Sequence, residues 1–321
     1  MKAVVLEKFG RLNYRHLPTP KPKGGEVLVK VKACALNRLD LWLRKGAKGA
    51  SKNILLPHIL GSDVAGVEVK TGKEVVINPA LPQGVGKPVG IFGYNTWGGY
   101  AEYVVAPLGQ VYSKPKNLSF VEAAAFPLTF LTAWRMLTTK AKLQKGETVF
   151  IWGASGGLGL AAIKIAKYLD AKVIAAAKTR AVAAKLKQLG ADKTIVYPQG
   201  RVVEKVKALT NGAGVEVVFE SVGKKTWQDS LNLLGFNGRV VIAGTTSGDV
   251  GSQDLSQVYY RQLTIFGSRM GDKKEFEEVL RLVNQGKLKP VIDKVFLLKD
   301  AIKAQARMAQ GKHLGKIVLK V

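Results

Sequence analysis

Two patterns of hydrophobic and polar residues divide this chain, and the change between them falls near residue 121. The first part carries short valine-rich runs with partial period-two alternation, which predict strands, separated by clusters rich in glycine and proline. This part predicts an irregular β-barrel or sandwich. The runs cover 26–36, 63–70, 74–81 and 99–107, and the main turn clusters cover 20–26 and 81–90.

Beyond residue 121 the apolar runs alternate between strand and helix patterns. Residues 121–137 are alanine-rich and predict a helix with a break or kink at Pro127. Apolar strands and helices then follow each other, which predicts a parallel sheet covered on both faces. The strands are 148–153, 172–177, 193–197, 215–221, 238–244 and 263–268, and the helices are 158–169, 180–190, 201–210 and 225–234.

The C-terminal elements are expected to return to the first domain. An amphipathic helix over 273–286 is followed by a strand, a second helix over 299–310 and a last strand at 316–321. The predicted organisation is therefore one domain of residues 1–125 completed by 269–321, and a second of residues 126–268. Two domains suit the 321 residues of the chain, since single cores seldom exceed about 250 to 300 residues.

A glycine-rich turn, GASGGLG at 153–159, stands between a predicted buried strand and a helix. Glycine there permits a sharp turn, close approach of the backbone to a pyrophosphate, and packing of the helix against the strand. The amides of Ser155, Gly156, Gly157 and Leu158 would face phosphate oxygens at the positive end of the helix. Within a series of βα units, this motif predicts a dinucleotide-binding Rossmann domain.

The residues after the second strand of that domain bear on which cofactor is bound. Domains that bind NAD usually place Asp or Glu there, where the carboxylate accepts a hydrogen bond from the ribose 2′-hydroxyl. Lys178, Thr179 and Arg180 stand at that place without an acid. The two cations would attract a 2′-phosphate, and a guanidinium can bind it with two hydrogen bonds. NADP(H) is therefore expected rather than NAD(H), unless the cations fall there by chance in a basic chain.

Charge, cysteine content and the lack of targeting patterns restrict the expected partners and location of the protein. Lys and Arg number 50 against 23 Asp and Glu, a formal charge of +27 that often indicates nucleic-acid binding. The cations are dispersed without a block of five or interleaved aromatics, so nucleic acid is not the expected partner. The single cysteine, Cys34, excludes a disulfide framework and a cysteine-rich zinc module. Since neither a signal-peptide pattern nor a membrane-spanning run occurs, a cytoplasmic location is expected.

Taken together, these segments resemble the medium-chain dehydrogenase/reductase superfamily, in its quinone-oxidoreductase-like branch. The resemblance extends through GEVLVKVKACALNRLDLWLRKG, LGSDVAGVEVKTG, GGYAEYVVAP, AAAFPLTFLTAWRML, GASGGLG and GKHLGKIVL. It implies an α/β fold with a GroES-like β-barrel catalytic domain, a Rossmann doubly wound parallel-sheet domain, and an active site in the cleft between them. It also implies a homodimer or homotetramer in which the sixth strand pairs across subunits.

Zinc-containing members of this superfamily hold a catalytic metal with a Cys, a His of a Gly-His-Glu motif, and a distant Cys or Asp. The matching positions here are Asn37, Ser62 and Leu128, whereas zinc prefers thiolate or imidazole. The lobe that carries four cysteines in zinc enzymes is shortened to 80–95 and has none. No catalytic or structural zinc is therefore expected. Conjugated quinones and enones suit a site without a Lewis acid, because their π-systems spread the negative charge.

The resemblance also implies roles for individual residues. Asn37, Ser62, Tyr94 and Thr129 are the candidate catalytic residues, and Asn37 and Thr129 would also lie near the nicotinamide. Trp42 stands where several members carry a candidate proton-donating Tyr, so the proton donor stays open. The further cofactor contacts implied along the fourth, fifth and sixth strands are Ser221, Gly244, Thr245, Phe266, Gly267 and Ser268.

The predicted function is a zinc-free, NADP(H)-dependent oxidoreductase that moves hydride between nicotinamide and a quinone, an enone or another activated carbonyl of a small-molecule substrate. One alternative is an alcohol dehydrogenase or ketone reductase of the same superfamily. A second alternative is a non-catalytic nucleotide- or nucleic-acid-binding protein. A third is a protein that retains the cofactor domain beside an inactive substrate site.

Overall fold

The computed structural model describes residues 1–46, 54–83 and 89–321, so the turn cluster at 81–90 and the lobe at 80–95 lie partly outside it. The chain divides into two compact units, Met1–Leu128 with Asp272–Val321, and Thr129–Gly271. The boundaries that the sequence places after residues 125 and 268 thus fall after residues 128 and 271. The C-terminal elements belong to the same unit as the N-terminal ones.

The strands and helices are numbered along the chain. The strands are β1 (Lys2–Lys8), β2 (Arg11–His16), β3 (Glu26–Ala35), β4 (His58–Ile59), β5 (Asp63–Glu68), β6 (Glu74–Ile77), β7 (Ala80–Leu81), β8 (Gly90–Ile91), β9 (Tyr103–Pro107), β10 (Val111–Ser113), β11 (Thr148–Ile151), β12 (Lys172–Ala177), β13 (Lys193–Val196), β14 (Val215–Glu220), β15 (Leu234–Ile242), β16 (Thr264–Gly267), β17 (Ile292–Leu297) and β18 (Lys316–Lys320). The helices are α1 (Arg38–Lys45), α2 (Phe120–Ala123), α3 (Pro127–Trp134), α4 (Gly157–Tyr168), α5 (Arg180–Gln188), α6 (Val202–Leu209), α7 (Trp227–Leu233), α8 (Leu255–Tyr260), α9 (Lys273–Asn284) and α10 (Ala301–Ala309). Within the described part of the chain, no helix combines the length and the apolar character needed to cross a bilayer.

The described strands of the first unit form mostly antiparallel sheets around one core. The largest sheet has the order β10-β6-β5-β3-β18-β17, with β9 also paired to β3. A second sheet has the order β2-β1-β4, and β7 pairs with β8. Buried side chains from both larger sheets, including Leu6, Val31, Ile59 and Ile317, belong to a single hydrophobic cluster. Because β18 pairs with β3, the two ends of the chain complete the same sheet.

The second unit is a parallel sheet in the order β13-β12-β11-β14-β15-β16. This is the strand order of a doubly wound dinucleotide-binding fold, so the predicted Rossmann architecture is confirmed. The direction of winding reverses between β11 and β14, and ligands of such sheets bind outside the carboxyl ends of the strands at that point. The apolar strands 149–151 and 173–177 are buried, as expected for a sheet covered on both faces.

The helical region near residue 121 is divided at the proline. Helix α2 ends at Ala123, and α3 begins at Pro127, whose missing N–H is tolerated in the first turn of a helix. A π-helical segment at Arg135–Lys140 follows. Helix α1 was not anticipated, although its signals are present: Asp40 accepts from the amide of Asn37, and Gly46 ends the helix in the left-handed conformation.

Candidate functional site

Apart from Thr129, which lies in α3, the predicted cofactor residues of the second unit lie at the carboxyl edge of its parallel sheet. Each group directly follows a strand or ends one, and the carboxyl ends of parallel strands share an edge. In chain order they are Ser155, Gly156, Gly157 and Leu158 after β11, Lys178 and Arg180 after β12, Ser221 after β14, Gly244 and Thr245 after β15, and Phe266, Gly267 and Ser268 at the end of β16.

The glycine-rich turn has the geometry that a pyrophosphate site requires. Gly153 has a φ of 62°, which favours glycine, and a Cβ there would lie 2.9 Å from Oγ of Ser221. At Gly159 a Cβ would lie 2.5 Å from Cα of Ala154, so helix α4 packs against the turn only because that side chain is missing. Gly156 precedes α4 as its N-cap, and no side chain caps that helix end. The first amides of α4 are therefore available to an anion.

Two alanine substitutions separate the roles of these glycines. At Gly156 a Cβ would meet only the carbonyl oxygen of Gly153, at 3.5 Å, whereas at Gly159 it would overlap backbone atoms. We expect Gly159→Ala to lower the unfolding free energy by about 1–3 kcal/mol, the usual cost of overpacking. Gly156→Ala should change stability much less, yet weaken dinucleotide binding by crowding the approach to the phosphates. Thermal unfolding measures the stability of each variant, and titration with the dinucleotide measures its affinity. Equal melting temperatures of the two variants would contradict this prediction.

The turn after β12 presents two exposed cations, and an aromatic residue follows the neighbouring strand at the same edge of the sheet. Lys178 and Arg180 are exposed, and Thr179 between them caps α5 by accepting from the amide of Val182. Since Ala177 pairs with Val196, the next residues, Lys178 and Tyr197, leave adjacent strands at the same edge. The Tyr197 ring lies 6.1 Å from that of Trp152, the residue before the glycine-rich turn. Sequence reasoning missed Tyr197, although an aromatic residue directly after the third strand was an available signal.

The loops after β14 and β15 are connected by a backbone hydrogen bond. The amide of Ser247 donates to the carbonyl of Val222 at 2.7 Å, and a Cβ at Gly244 would lie 3.2 Å from the carbonyl oxygen of Ser221. Glu220, fully buried at the end of β14, shapes this loop by accepting from the amides of Val222 and Gly223. Sequence analysis missed Glu220, whose signal is a carboxylate at the end of the apolar run Val217–Phe219.

The last predicted cofactor residues continue the edge of the sheet. Phe266 and Gly267 pair with Val241 and Ile242 of β15. The amide of Ser268 donates to the carbonyl of Ile242 at 2.8 Å, which extends the pairing by one residue. These three residues are thus held at the carboxyl end of the fifth and sixth strands.

In the first unit, the predicted residue Asn37 belongs to a buried polar group that joins distant parts of the chain. Its Nδ2 donates to Oδ2 of Asp63 at 2.9 Å. The ammonium of Lys316 donates to Oδ1 of Asn37 at 2.7 Å and to Oδ2 of Asp63 at 2.8 Å. The side chains of Asp63 and Lys316 are 0% and 4% exposed. Neither Asp63 nor Lys316 was among the predicted site residues.

The residues at the three zinc-ligand positions do not fit a zinc ion. They offer the amide of Asn37, the hydroxyl of Ser62 and the aliphatic side chain of Leu128, in place of thiolate or imidazole. The ammonium of Lys316 already binds Oδ1 of Asn37 and would repel a dication there. Among the described residues, no group of three or more His, Cys, Asp and Glu side chains could hold a metal ion.

A second buried carboxylate adjoins this group. Oδ2 of Asp40 accepts from the backbone N–H of Asn37 at 2.8 Å and from the hydroxyl of Tyr100 at 3.1 Å. Burial raises the pKa of Asp40 to about 6, while these hydrogen bonds and the charge of Lys316 act in the opposite direction. Burial also raises the pKa of Tyr100, so its hydroxyl stays protonated as a donor.

The pKa of Asp40 predicts a pH dependence of stability. Because the folded pKa lies above the ordinary value of 3.8, this group favours the folded state most below that value, and the contribution is lost as pH rises through about 6. Asp40→Asn keeps an acceptor for Asn37 and Tyr100 but cannot ionise. From about pH 4 to about pH 7 we expect the native protein to lose roughly 2 kcal/mol of unfolding free energy relative to this variant. Urea unfolding at several pH values measures the unfolding free energy of both proteins. If the difference between native protein and Asp40→Asn did not change with pH, the prediction would be wrong.

The other predicted catalytic residues occupy separate places. Ser62 immediately precedes β5 and is fully buried, and its Oγ has no hydrogen-bond partner among the described residues. Tyr94 is half-buried and packs against the hydrophobic cluster of the first unit. Thr129 is 5% exposed and is the first residue of the second unit. Of these residues, the structure therefore places only Asn37 in the buried polar group with Asp63 and Lys316.

A parallel sheet of this order with a glycine-rich turn, in a chain whose other unit is built from both chain ends, is typical of a protein that binds a dinucleotide. Residues 23–116 match the family described as alcohol dehydrogenase GroES-like domain, and residues 157–285 match zinc-binding dehydrogenase. The chain is 34% identical over 348 residues to an "NAD-dependent alcohol dehydrogenase" of Sulfolobus acidocaldarius, with all of both chains covered. It is 31% identical to the human "Quinone oxidoreductase", covering 99% of this chain and 97% of that protein.

Solved structures agree with the relatives. A crystal structure of a protein named NAD-dependent alcohol dehydrogenase superposes with a TM-score of 0.95 at 40% identity, with both chains fully covered. The chain belongs to the medium-chain dehydrogenase/reductase superfamily, in its quinone-oxidoreductase-like branch. The predicted GroES-like and Rossmann folds are confirmed.

Proposed function

We propose that this protein is an NADP(H)-dependent oxidoreductase that acts without zinc on a quinone, an enone or another activated carbonyl compound. The observation that carries the proposal is the ammonium of Lys316 bound to Asn37 and Asp63, at a place where zinc-containing relatives carry metal ligands. Without a Lewis acid, the charge that develops on the substrate oxygen has to be spread by the substrate itself. Conjugated carbonyl compounds do so through their π-systems.

The carboxyl edge of the second unit fits a dinucleotide phosphate. The amides of Ser155, Gly157 and Leu158 would hold the pyrophosphate, whereas the amide of Gly156 already donates to the carbonyl of Gly153 at 3.1 Å. Lys178 and Arg180 would bind the 2′-phosphate. When bound, the nicotinamide ring supplies or accepts the hydride. The preference for NADP(H) is supported by these two exposed cations and by the absence of an acidic residue from the turn of residues 178–180.

The four candidate catalytic residues, Asn37, Ser62, Tyr94 and Thr129, would stabilise and protonate the substrate oxygen. Nδ2 of Asn37 carries two hydrogens and uses one for Asp63, so the other can donate to an oxyanion. The buried hydroxyl of Ser62, which lacks a partner, is a second candidate donor. Tyr94 and Thr129 remain candidates for proton transfer on the resemblance alone.

A panel of acceptors tests this function directly. Purified protein is given NADPH or NADH with a benzoquinone, an α,β-unsaturated ketone, a simple aliphatic aldehyde, or no acceptor. We expect NADPH oxidation with the conjugated acceptors at kcat/KM values well above those for the aldehyde. Equal turnover of the simple aldehyde, or turnover only with NADH, would contradict the proposal.

A second candidate function is an alcohol dehydrogenase that uses NAD. It is supported by the 34% identity to the Sulfolobus acidocaldarius protein of that name, which extends along the whole of both chains. In that case NAD-dependent oxidation of simple alcohols would exceed every quinone rate in the panel. A non-catalytic nucleic-acid-binding protein would instead show no NADPH oxidation and would bind RNA or DNA with a steep salt dependence.

We also propose that the protein is a homodimer or homotetramer joined through β16. Among the described strands, β16 ends the sheet and pairs with β15 alone. The residues on and before it include exposed Tyr259, Tyr260 and Ile265. An exposed apolar strand edge favours pairing with a second copy. Light scattering should give two or four times the 34.6 kDa of one chain. A monomer would contradict the proposal.

A further inference from the structure

The carboxylate of Asp63 connects four separate segments of the first unit. It lies at the start of β5, and its Oδ2 binds both Asn37, between β3 and α1, and Lys316, at the start of β18. Its other oxygen, Oδ1, accepts from the amide of Leu128 at 2.7 Å, in the first turn of α3. The residue after Leu128 is Thr129. One buried ion pair therefore contacts both Asn37 and the backbone of Leu128.

The charges of the pair decide which way the Asn37 amide points. An ammonium can only donate hydrogen bonds, and a carboxylate without a proton can only accept them. Oδ1 of Asn37 therefore belongs against Lys316 and Nδ2 against Asp63, as observed. Rotating the amide by half a turn would place donor against donor and acceptor against acceptor. Without Lys316, Oδ1 would lose its donor and Asp63 would be a buried charge without its cation.

We propose that Lys316 is a positioning residue that fixes the amide of Asn37 with Nδ2 as the donor and, through Asp63, fixes the first turn of α3 before Thr129. The proposal rests on the role for Asn37 given above. Lys316 itself does not touch the substrate.

Three variants separate positioning from stability. Lys316→Met removes the ammonium with little change in side-chain length, and Asn37→Ala removes the group that is positioned. Lys114→Met is the matched control, because Lys114 is also buried in this unit and donates to the carbonyls of Leu118 and Pro115, away from Asn37. Both lysine variants should lower the melting temperature. Only Lys316→Met should lower kcat, by about 10-fold or more, with the Kd for NADPH unchanged.

A double-mutant cycle then shows whether Lys316 acts through Asn37. If it does, Lys316→Met in the Asn37→Ala background should cost almost nothing further in kcat. Full additivity, or an equal loss of kcat in Lys114→Met, would overturn the proposal while leaving the proposed function standing.

A spectroscopic readout makes the inference independent of turnover. The side-chain NH₂ signals of Asn37, identified by their loss in Asn37→Ala, should be sharp in the native protein and shifted or broadened in Lys316→Met. They should be unchanged in Lys114→Met. If the native protein reduced no conjugated acceptor, the proposed function would fail, and these signals would still decide the orienting role. Identical Asn37 signals in native protein and Lys316→Met would overturn it.

Discussion

Replacing Lys178 and Arg180 together with Ala should raise the Kd for NADPH by about 100-fold at low salt and leave the Kd for NADH unchanged. Both side chains are exposed at the carboxyl end of β12, and each would make charge-assisted hydrogen bonds to a 2′-phosphate that NADH lacks. Because the cations are exposed, the difference should shrink as salt is added. Fluorescence titration of both dinucleotides at two ionic strengths measures the effect.

Helix α5, which begins at Arg180, also supplies a matched control for this double variant. Lys185 and Lys187 lie on α5 near its C-terminus and are exposed, so replacing both with Ala removes the same charge farther from the turn. This pair should change the NADPH affinity only slightly. Equal affinities of the native protein for NADPH and NADH, or equal losses in the two double variants, would show that the 2′-phosphate is not bound by Lys178 and Arg180.

Asn37→Ala should lower kcat for a conjugated acceptor by about 100-fold or more, the usual cost of removing one donor to a developing oxyanion. The loss should fall on kcat more than on the Kd for NADPH, because Asn37 belongs to the first unit and the dinucleotide phosphates are expected at the second. Stopped-flow measurement of NADPH oxidation under single-turnover conditions isolates the hydride step.

The control for this variant is a buried asparagine elsewhere in the same unit. Asn78 is fully buried between β6 and β7, and its Oδ1 accepts from the amide of Ala80. Asn78→Ala should cost stability but keep kcat within a few-fold of the native value. A folded Asn37→Ala protein with native kcat would remove Asn37 from the catalytic residues.

The second unit was largely predictable because its signals are local. Apolar strands, intervening helices and the turn at 153–159 each occupy a short stretch of sequence, and the order of the strands follows from general rules for parallel sheets. The predicted strand 172–177 coincides with β12. Boundaries moved where tertiary pairing overrode the pattern: β15 begins at Leu234, because that residue pairs with Val215 across a register shift.

The buried polar group was not predictable from the same kind of signal. Lys316 is 279 residues from Asn37 and 253 from Asp63, and only the pairing of β18 with β3 brings them together. In sequence, Lys316 looks like Lys320 at the other end of the same strand, yet Lys320 is exposed and Lys316 is buried. In a chain with 50 Lys and Arg residues, nothing local distinguishes a lysine with a buried partner from a solvated one.

The central claim is hydride transfer from NADPH to a conjugated carbonyl without a metal ion. The most direct test measures NADPH oxidation by a benzoquinone with protein treated with a strong chelator, its metal content determined by mass spectrometry, before and after addition of zinc. The account predicts full activity at a zinc content far below one ion per chain, with no gain on adding zinc. Activity that disappears with the metal and returns with zinc in proportion to the ion bound would contradict it.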